Sequence, residues 1–218
     1  MNERDTVIFD FGGVVTSSPF EAFNRMEAER GLPRDLVRRI NATNPDGNAW
    51  ALFERAEIDA GRFDELFQVE AEALGHHLPG RDVLALLSGD IRPRVVGAID
   101  WLKANGYTIG CITNNVPAGH GNQMAPTTEK ARAVQAIMAR FDHVVESSKA
   151  GIRKPDPAIY LMACEALGVA PGQCVYLDDL GINCKPAAAL GMAAIKVTSG
   201  DQAMEDLARA LGLAATPF

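Results

Sequence analysis

Short apolar runs alternate with amphipathic segments over most of the chain, and this alternation predicts strands that each lead into a helix. The predicted strands are Thr6–Phe9, Tyr107–Ile112, His143–Val145, Cys174–Leu177 and Ala193–Val197. The predicted helices that follow them are Arg94–Asn105, Glu129–Arg140, Pro157–Leu167, Asn183–Leu190 and Ala203–Leu211. Strands alternating with helices of this length are typical of right-handed βαβ units. The sequence therefore predicts an α/β fold with a Rossmann-like, doubly wound parallel sheet.

The stretch from Ser17 to Ile91 breaks this alternation, because it contains no apolar run of the strand type. Amphipathic segments predict four helices there, at Pro19–Arg30, Arg34–Ala42, Ala49–Ala60 and Phe63–Leu74. A run of helices inserted after the first strand indicates a small all-helical cap. We therefore expect an α/β core made of residues 1–16 and 92–218, and a cap made of residues 17–91.

Polar side chains follow the ends of the predicted strands. Six of them lie at a strand end or in the loop before the helix at Pro157–Leu167, namely Asp10, Thr113, Asn114, Lys154, Asp178 and Asp179. Ligands of open α/β sheets bind outside the carboxyl ends of the strands. The predicted fold therefore brings three carboxylates, a hydroxyl, an amide and an ammonium to one edge of the sheet.

Three carboxylates in one place repel one another unless they share a proton or a cation. Mg²⁺ is the cation that we expect, because it prefers oxygen ligands and is commonly held by a few carboxylates together with a substrate phosphate. Thr113 and Asn114 would then donate to phosphate oxygens, and Lys154 would balance the charge. An aspartate in this setting, here Asp10, can act as a nucleophile and form an aspartyl-phosphate that water hydrolyses.

Each of these residues also has a structural interpretation. A single aspartate after a strand, such as Asp10, is commonly a helix N-cap or a turn residue. A single lysine such as Lys154 is commonly solvated. The joint occurrence of all six, in this order and at the predicted edge of the sheet, favours the chemical interpretation.

The order of these motifs resembles the haloacid dehalogenase-like hydrolase superfamily, which is dominated by phosphatases. Its four motifs have counterparts at Asp10, Thr113, Lys154 and the pair Asp178-Asp179. A closer resemblance is to the phosphatase-like N-terminal domain of soluble epoxide hydrolases and its stand-alone bacterial relatives. That resemblance is carried by Phe141–Ser147, Arg153–Tyr160 and Leu177–Ala187.

The resemblance implies an activity and a set of roles. It implies a phosphatase in which Asp10 is the nucleophile and Lys154 is both catalytic and phosphate-binding. It further implies that Mg²⁺ is the cofactor, held by Asp10, Asp178, Asp179 and the main-chain carbonyl of Gly12. The expected substrate is a small phosphorylated metabolite.

Gly12 departs from the pattern of the family. Its phosphatases usually carry a second aspartate two residues after the nucleophile, which acts as general acid and then as general base. General acid–base catalysis typically contributes ~10²–10⁴-fold. With glycine at this position, we expect a slow phosphatase or one restricted to good leaving groups.

Two other functions stay open. A phosphate-ligand binding or regulatory protein would have kept the site and lost turnover. A 2-haloacid dehalogenase would also lack the second aspartate, but it needs no metal, and the pair Asp178-Asp179 favours magnesium and phosphate. Schiff-base chemistry of the phosphonatase type is disfavoured, because it needs a cap lysine and the first lysine of this chain is Lys103.

Substrate identity is expected to depend on the cap and on the loop of residues 116–128. Candidates in the cap are Asn44, Asn48, Trp50, Glu54 and Arg55, although a solvated helix face is the more common interpretation of such residues. Three histidines could also reach the site, but they are more typical of a protein surface: His76, His77 and His120.

Composition and charge narrow the choice of partners. The chain has 21 basic and 28 acidic residues and a formal net charge of −7, which argues against binding to nucleic acid or to an anionic membrane. It has neither a signal-peptide pattern nor an apolar run near the length of a membrane span. Its four cysteines lack C-x-x-C spacing, which favours reduced thiols. We expect a cytoplasmic monomer or homodimer.

Overall fold

The computed structural model describes residues 4–116 and 128–218, and a five-stranded parallel sheet lies at its centre. The strands are β1 (Thr6–Phe9), β2 (Thr108–Thr113), β3 (His143–Glu146), β4 (Cys174–Asp178) and β5 (Ala193–Lys196). Their order is β3-β2-β1-β4-β5, and each neighbouring pair is parallel. The first strand is therefore central, and the chain leaves it between the ends of β2 and β4. The predicted α/β, Rossmann-like fold is confirmed.

Helices connect these strands. They are α1 (Pro19–Glu29), α2 (Leu36–Ala42), α3 (Ala49–Glu54), α4 (Ala60–Ala73), α5 (Gly80–Leu84), α6 (Pro93–Ala104), α7 (Thr128–Met138), α8 (Ser147–Ala150), α9 (Pro157–Leu167), α10 (Gly181–Ala189) and α11 (Gly200–Ala210). A short 3₁₀ turn, Pro171–Gln173, precedes β4. Among residues 4–116 and 128–218, no helix is long and apolar enough to cross a membrane.

Alternate residues of the central strands pack against the two helical layers. On β1, Val7 and Phe9 belong to a cluster that contains residues of α6, α7 and α11. The residue between them, Ile8, belongs to a second cluster with residues of α9 and α10. Because successive side chains of a strand point to opposite faces, this division shows that helices cover both faces of the sheet.

Helices α1 to α5 lie between β1 and α6 in the chain and share a hydrophobic cluster, to which Val116 also belongs. Its members include Phe23, Leu36, Phe53, Phe63 and Phe67, all of them buried. A helical cap is consistent with this arrangement. The division of the chain into a core of residues 1–16 and 92–218 and a cap of residues 17–91 stays a prediction.

The two segments that lead into and out of this helical region run side by side. Thr16 and Ile91 form an antiparallel bridge. The N–H of Ser17 donates to the carbonyl of Asp90 at 2.7 Å, and the N–H of Arg92 donates to the carbonyl of Val15 at 2.9 Å. The helical region is therefore joined to the sheet through a pair of hydrogen-bonded connections.

The helix predicted over Ala49–Ala60 is wrong. Helix α3 ends at Glu54, and Ala56 adopts a left-handed conformation with a φ of 59°. Helix α4 then starts at Ala60 rather than at Phe63, because the side chain of Asp59 accepts a hydrogen bond from the N–H of Arg62 at 2.8 Å and caps the new helix. Helices α5 and α8 were not predicted, since elements of five and four residues are too short to show a helical period.

Candidate active site

Asp10 lies at the end of β1, and its carboxylate is fixed by two donors. The N–H of Phe11 donates to Asp10 Oδ1 at 2.7 Å, and the ammonium nitrogen of Lys154 lies 2.8 Å from the same oxygen. The chain then forms a compact turn, closed by a 3.1 Å hydrogen bond from the N–H of Thr16 to the carbonyl of Phe11. Asp10 is buried, so this end of the strand places a nearly dehydrated carboxylate at the edge of the sheet.

The turn requires glycine at residue 13. Gly13 has a φ of 86°, and a Cβ atom there would lie 2.3 Å from Cγ of Asp179. Only glycine adopts this conformation readily and leaves room for the carboxylate. Gly13 therefore lets the turn after β1 and the end of β4 approach each other closely.

The ammonium group of Lys154 bridges two aspartates. Its side chain is 1% exposed, and Nζ lies 2.8 Å from Asp10 Oδ1 and 2.8 Å from Asp178 Oδ2. Nζ also donates to the carbonyl of Ile112 at 3.0 Å. Burial acts to lower the pKa of Lys154, but its attraction to Asp10 and Asp178 is stronger and holds the pKa above its ordinary value. Lys154 is therefore a fixed positive charge.

Asp178 accepts hydrogen bonds at both carboxylate oxygens. The hydroxyl of Tyr176 donates to Oδ2 at 2.5 Å, and the N–H of Leu180 donates to Oδ1 at 2.8 Å. The amide nitrogen of Asn183 lies 3.1 Å from each oxygen. Together with Lys154, these donors hold Asp178 in one orientation. The sequence analysis did not assign Tyr176 to the site. Its position two residues before Asp178 on the same strand was the available signal, because residues two apart in a strand point to the same face of the sheet.

Asp10, Asp178 and Asp179 form a cluster in which one carboxylate oxygen of each lies within 4.8 Å of the others. Burial raises the pKa of Asp10 well above its ordinary value; Lys154 opposes this shift, while Asp178 and Asp179 add to it. Burial also raises the pKa of Asp179, whose Oδ2 accepts a 2.8 Å hydrogen bond from the hydroxyl of Ser18. Ser18 was not predicted, because it lies 161 residues away from Asp179 in the chain.

The donor set fits a divalent cation. The three carboxylates face one ammonium group, that of Lys154, so the ionised cluster carries a formal surplus of two negative charges. All three offer oxygen, the ligand atom that Mg²⁺ prefers. A bound divalent ion would neutralise the surplus that burial makes unfavourable.

Thr113 and Asn114 lie where the sequence predicted them, at the end of β2. Thr113 is buried. The side chain of Asn114 spans the backbone of Lys154: Oδ1 accepts from the N–H of Lys154 at 2.8 Å, and Nδ2 donates to its carbonyl at 3.0 Å. Nδ2 also lies 3.2 Å from Oε2 of Glu54. The side chain of Asn114 thus holds the Lys154 segment, and donation from Thr113 and Asn114 to phosphate stays a prediction.

The cap candidates have different environments. Glu54 is buried and its Oε2 lies 2.6 Å from Nε of Arg153. Asn48 caps α3 through a 2.8 Å hydrogen bond from the N–H of Ala51, which is a structural role. Arg55 forms an ion pair with Glu57 in the loop after α3. Trp50 donates to Glu54, and Asn44 has a positive φ of 49°.

The histidines do not join this cluster within the part of the chain that the structure describes. His77 is 72% exposed and lies beside Glu72, and His76 is partly exposed. His120 and most of the loop that was expected to influence substrate choice fall in residues 117–127, outside the described residues.

Sequence comparison finds relatives over most of the chain. The model of the haloacid dehalogenase-like hydrolase family matches residues 4–191. Bifunctional epoxide hydrolase 2 of Mus musculus is 30% identical over 217 residues, which cover 94% of this chain and 38% of that protein. A sesquiterpene phosphatase of Aspergillus oryzae is 26% identical over 210 residues, covering 94% of this chain and 95% of that protein.

The lengths of the relatives and a solved structure give two further comparisons. The chain spans only 19–38% of the length of several curated relatives that it matches. A HAD family enzyme from Bacteroides thetaiotaomicron, in a complex with magnesium and inorganic phosphate, superposes with a TM-score of 0.57 at 18% identity. The superposition covers 90% of this chain and 96% of that one, which shows a shared fold. With a family match over most of its length and the fold in agreement, this chain belongs to the haloacid dehalogenase-like hydrolases.

Proposed function

We propose that this hydrolase is a Mg²⁺-dependent phosphatase that transfers the phosphoryl group of a small phosphorylated metabolite to Asp10. The observation that carries the proposal is the ammonium group of Lys154, which lies 2.8 Å from both Asp10 and Asp178 beside the third carboxylate, Asp179. The phosphatases among its relatives support the same reaction class.

The residues of the site have distinct roles in this proposal. Asp10 is the nucleophile, and the donors from Phe11 and Lys154 restrain the rotation of its carboxylate. Lys154 offsets the negative charge of the phosphoryl oxygens in the transition state. Thr113 and the main chain of Asn114 would donate to those oxygens.

The proposed ligands of Mg²⁺ are the carboxylates of Asp10, Asp178 and Asp179 together with the main-chain carbonyl of Gly12. When bound, Mg²⁺ supplies positive charge that favours the ionised nucleophile and the approach of an anionic phosphate. Without it, burial and the neighbouring carboxylates keep the pKa of Asp10 raised, which disfavours the ionised nucleophile.

Gly12 sets the expected limit on this activity. Residue 12 has no side chain that could protonate the leaving group, so the leaving group must depart as an anion or take its proton from water. We therefore propose slow turnover, or turnover confined to esters and anhydrides whose leaving groups are stable anions.

Hydrolysis of p-nitrophenyl phosphate and acetyl phosphate tests the proposal. We expect phosphate release that stops with EDTA and returns with Mg²⁺, and a loss of at least about a thousandfold in Asp10→Asn, because the amide is a poor nucleophile. Full activity in Asp10→Asn would end the covalent mechanism.

A second candidate function is a phosphate-ligand binding or regulatory protein, which Gly12 favours. A panel of metabolite phosphates, followed by phosphate release and by thermal shift, separates the two functions. Mg²⁺-dependent binding without any hydrolysis would support the second function and reject the first. Halide release from 2-haloacids without metal would instead indicate dehalogenation.

A further inference from the structure

A buried carboxylate, that of Glu54, connects the helical region to the proposed active site. Glu54 is the last residue of α3, and its side chain is 7% exposed. Its Oε2 lies 2.6 Å from Nε of Arg153 and 3.2 Å from Nδ2 of Asn114. Its Oε1 accepts a 2.8 Å hydrogen bond from the indole nitrogen of Trp50.

The two sheet-side partners of Glu54 are linked to Lys154, one by chain adjacency and the other by hydrogen bonds. Arg153 is its neighbour in the chain, and Asn114 holds its backbone through the hydrogen bonds at 2.8 and 3.0 Å. A continuous series of contacts therefore leads from Glu54 through Asn114 to the residue whose ammonium lies between Asp10 and Asp178.

The end of α3 and the loop before α3 each have one more contact with the sheet side of the molecule. The hydroxyl of Ser147 donates to the main-chain carbonyl of Glu54 at 2.7 Å. Nη1 of Arg153 donates to the carbonyl of Pro45 at 3.0 Å. The position of Glu54 relative to Lys154 is thus fixed by several independent hydrogen bonds.

The contacts assign an acceptor role to Glu54. Its two oxygens accept from three donors, one of them a guanidinium, and each of these bonds favours the ionised form. Burial raises the pKa of Glu54, and Arg153 opposes that rise. A carboxylate engaged in this way holds its partners in place and is poorly suited to replace the proton donor that Gly12 lacks.

We propose that Glu54 is a positioning residue for Lys154, acting through Arg153 and Asn114. Its role rests on the proposed function, because Lys154 contributes to phosphoryl transfer only in that reaction. A buried ion pair of this kind fixes geometry more than it adds net stability. In this inference, the contact between the end of α3 and the sheet edge contributes to the placement of the Lys154 ammonium group.

The test compares Glu54→Ala and Glu54→Gln with a control in the loop that follows α3, Glu57→Gln. Glu57 is 49% exposed and pairs with Arg55 at 2.5 Å. With p-nitrophenyl phosphate, we expect kcat to fall by at least about tenfold in Glu54→Ala, as the loss of charged hydrogen bonds predicts. Glu54→Gln, which keeps an acceptor oxygen, should recover part of that loss, and Glu57→Gln should match the unaltered chain.

A second readout does not depend on turnover. The N–H of Lys154 donates to Asn114 Oδ1, so its rate of hydrogen exchange reports directly on this segment. We expect faster exchange at Lys154 in Glu54→Ala and Glu54→Gln, with the amides of β1 and β4 unchanged. Unchanged exchange at Lys154 in the isosteric Glu54→Gln variant, together with unchanged kcat, would overturn the inference.

The two proposals fail in different ways. If the unaltered chain hydrolyses no phosphate compound, the proposed function is wrong, and the exchange rate of Lys154 still decides whether Glu54 positions it. If hydrolysis occurs and Arg153→Gln adds fully to Glu54→Gln in a double-mutant cycle, the pair is uncoupled and the positioning role is wrong.

Discussion

Replacing Gly12 by aspartate tests the proposed chemistry at the point where this chain departs from its family. Gly12 has a φ of −73° and a ψ of 123°, which is extended backbone that any residue adopts. A Cβ atom at this position meets no other atom within 4 Å. The structure therefore accepts Gly12→Asp without backbone strain or a steric clash at Cβ.

The expected gain depends on the leaving group. A positioned proton donor contributes ~10²–10⁴-fold to catalysis. An alkyl phosphate needs that proton, because an alkoxide is a poor leaving group, whereas p-nitrophenolate leaves readily as an anion. The new carboxyl would stand two residues from Asp10 in the chain, and a nearby carboxylate favours the protonated, donating form. We expect a gain of about a hundredfold for an alkyl phosphate, and a small change for p-nitrophenyl phosphate.

Two controls isolate proton transfer from changes in shape. Gly12→Ala adds the Cβ alone and, at a compatible backbone, should stabilise the protein by about 0.4–1 kcal/mol. Gly12→Asn copies the shape of aspartate without its proton. Steady-state phosphate release from both substrates is the assay. Equal gains for the two substrates, or a gain in Gly12→Asn as large as in Gly12→Asp, would refute the reasoning.

Three further predictions concern the carboxylate cluster. Lys154→Met leaves Asp10 and Asp178 buried without their ammonium, so urea unfolding of the metal-free protein should show a loss of ~3–5 kcal/mol; a loss below 1 kcal/mol would contradict the pairing. Gly13→Ala puts a methyl group 2.3 Å from Cγ of Asp179, so calorimetric titration should show much weaker Mg²⁺ binding than in the unaltered chain. The pKa of Asp10 is raised in the metal-free fold, so the folded protein binds this proton more tightly than the unfolded chain does. The stability that proton binding contributes is therefore present at acidic pH and is lost as the pH rises through the raised pKa. Because Mg²⁺ competes with that proton, the rise in Tm that Mg²⁺ causes should grow from acidic to neutral pH. The measurement is scanning calorimetry, and a rise in Tm that is the same at every pH would argue against this competition.

Local patterns in the sequence were sufficient to predict the sheet and the edge at which the proposed site lies. Apolar runs such as Thr6–Phe9 and Cys174–Leu177 are buried on both faces, so their strand character needs no knowledge of distant residues. Once the strands are parallel, their carboxyl ends share one edge, and Asp10 and Asp178 must lie there. The motif residues were predictable for this reason.

Contacts between distant segments were decided by the tertiary structure. Ser18 meets Asp179 and Glu54 meets Arg153 across separations of 161 and 99 residues, and no periodicity of the chain encodes such a pair. The side chain of Asn114 bonds the backbone of Lys154, 40 residues further along the chain, through both its oxygen and its nitrogen. The sequence by itself determined which chemical groups stand at the strand ends, because strand burial is local. Only the packed structure decided which groups hold one another, because a hydrogen bond between distant segments depends on how the whole chain folds.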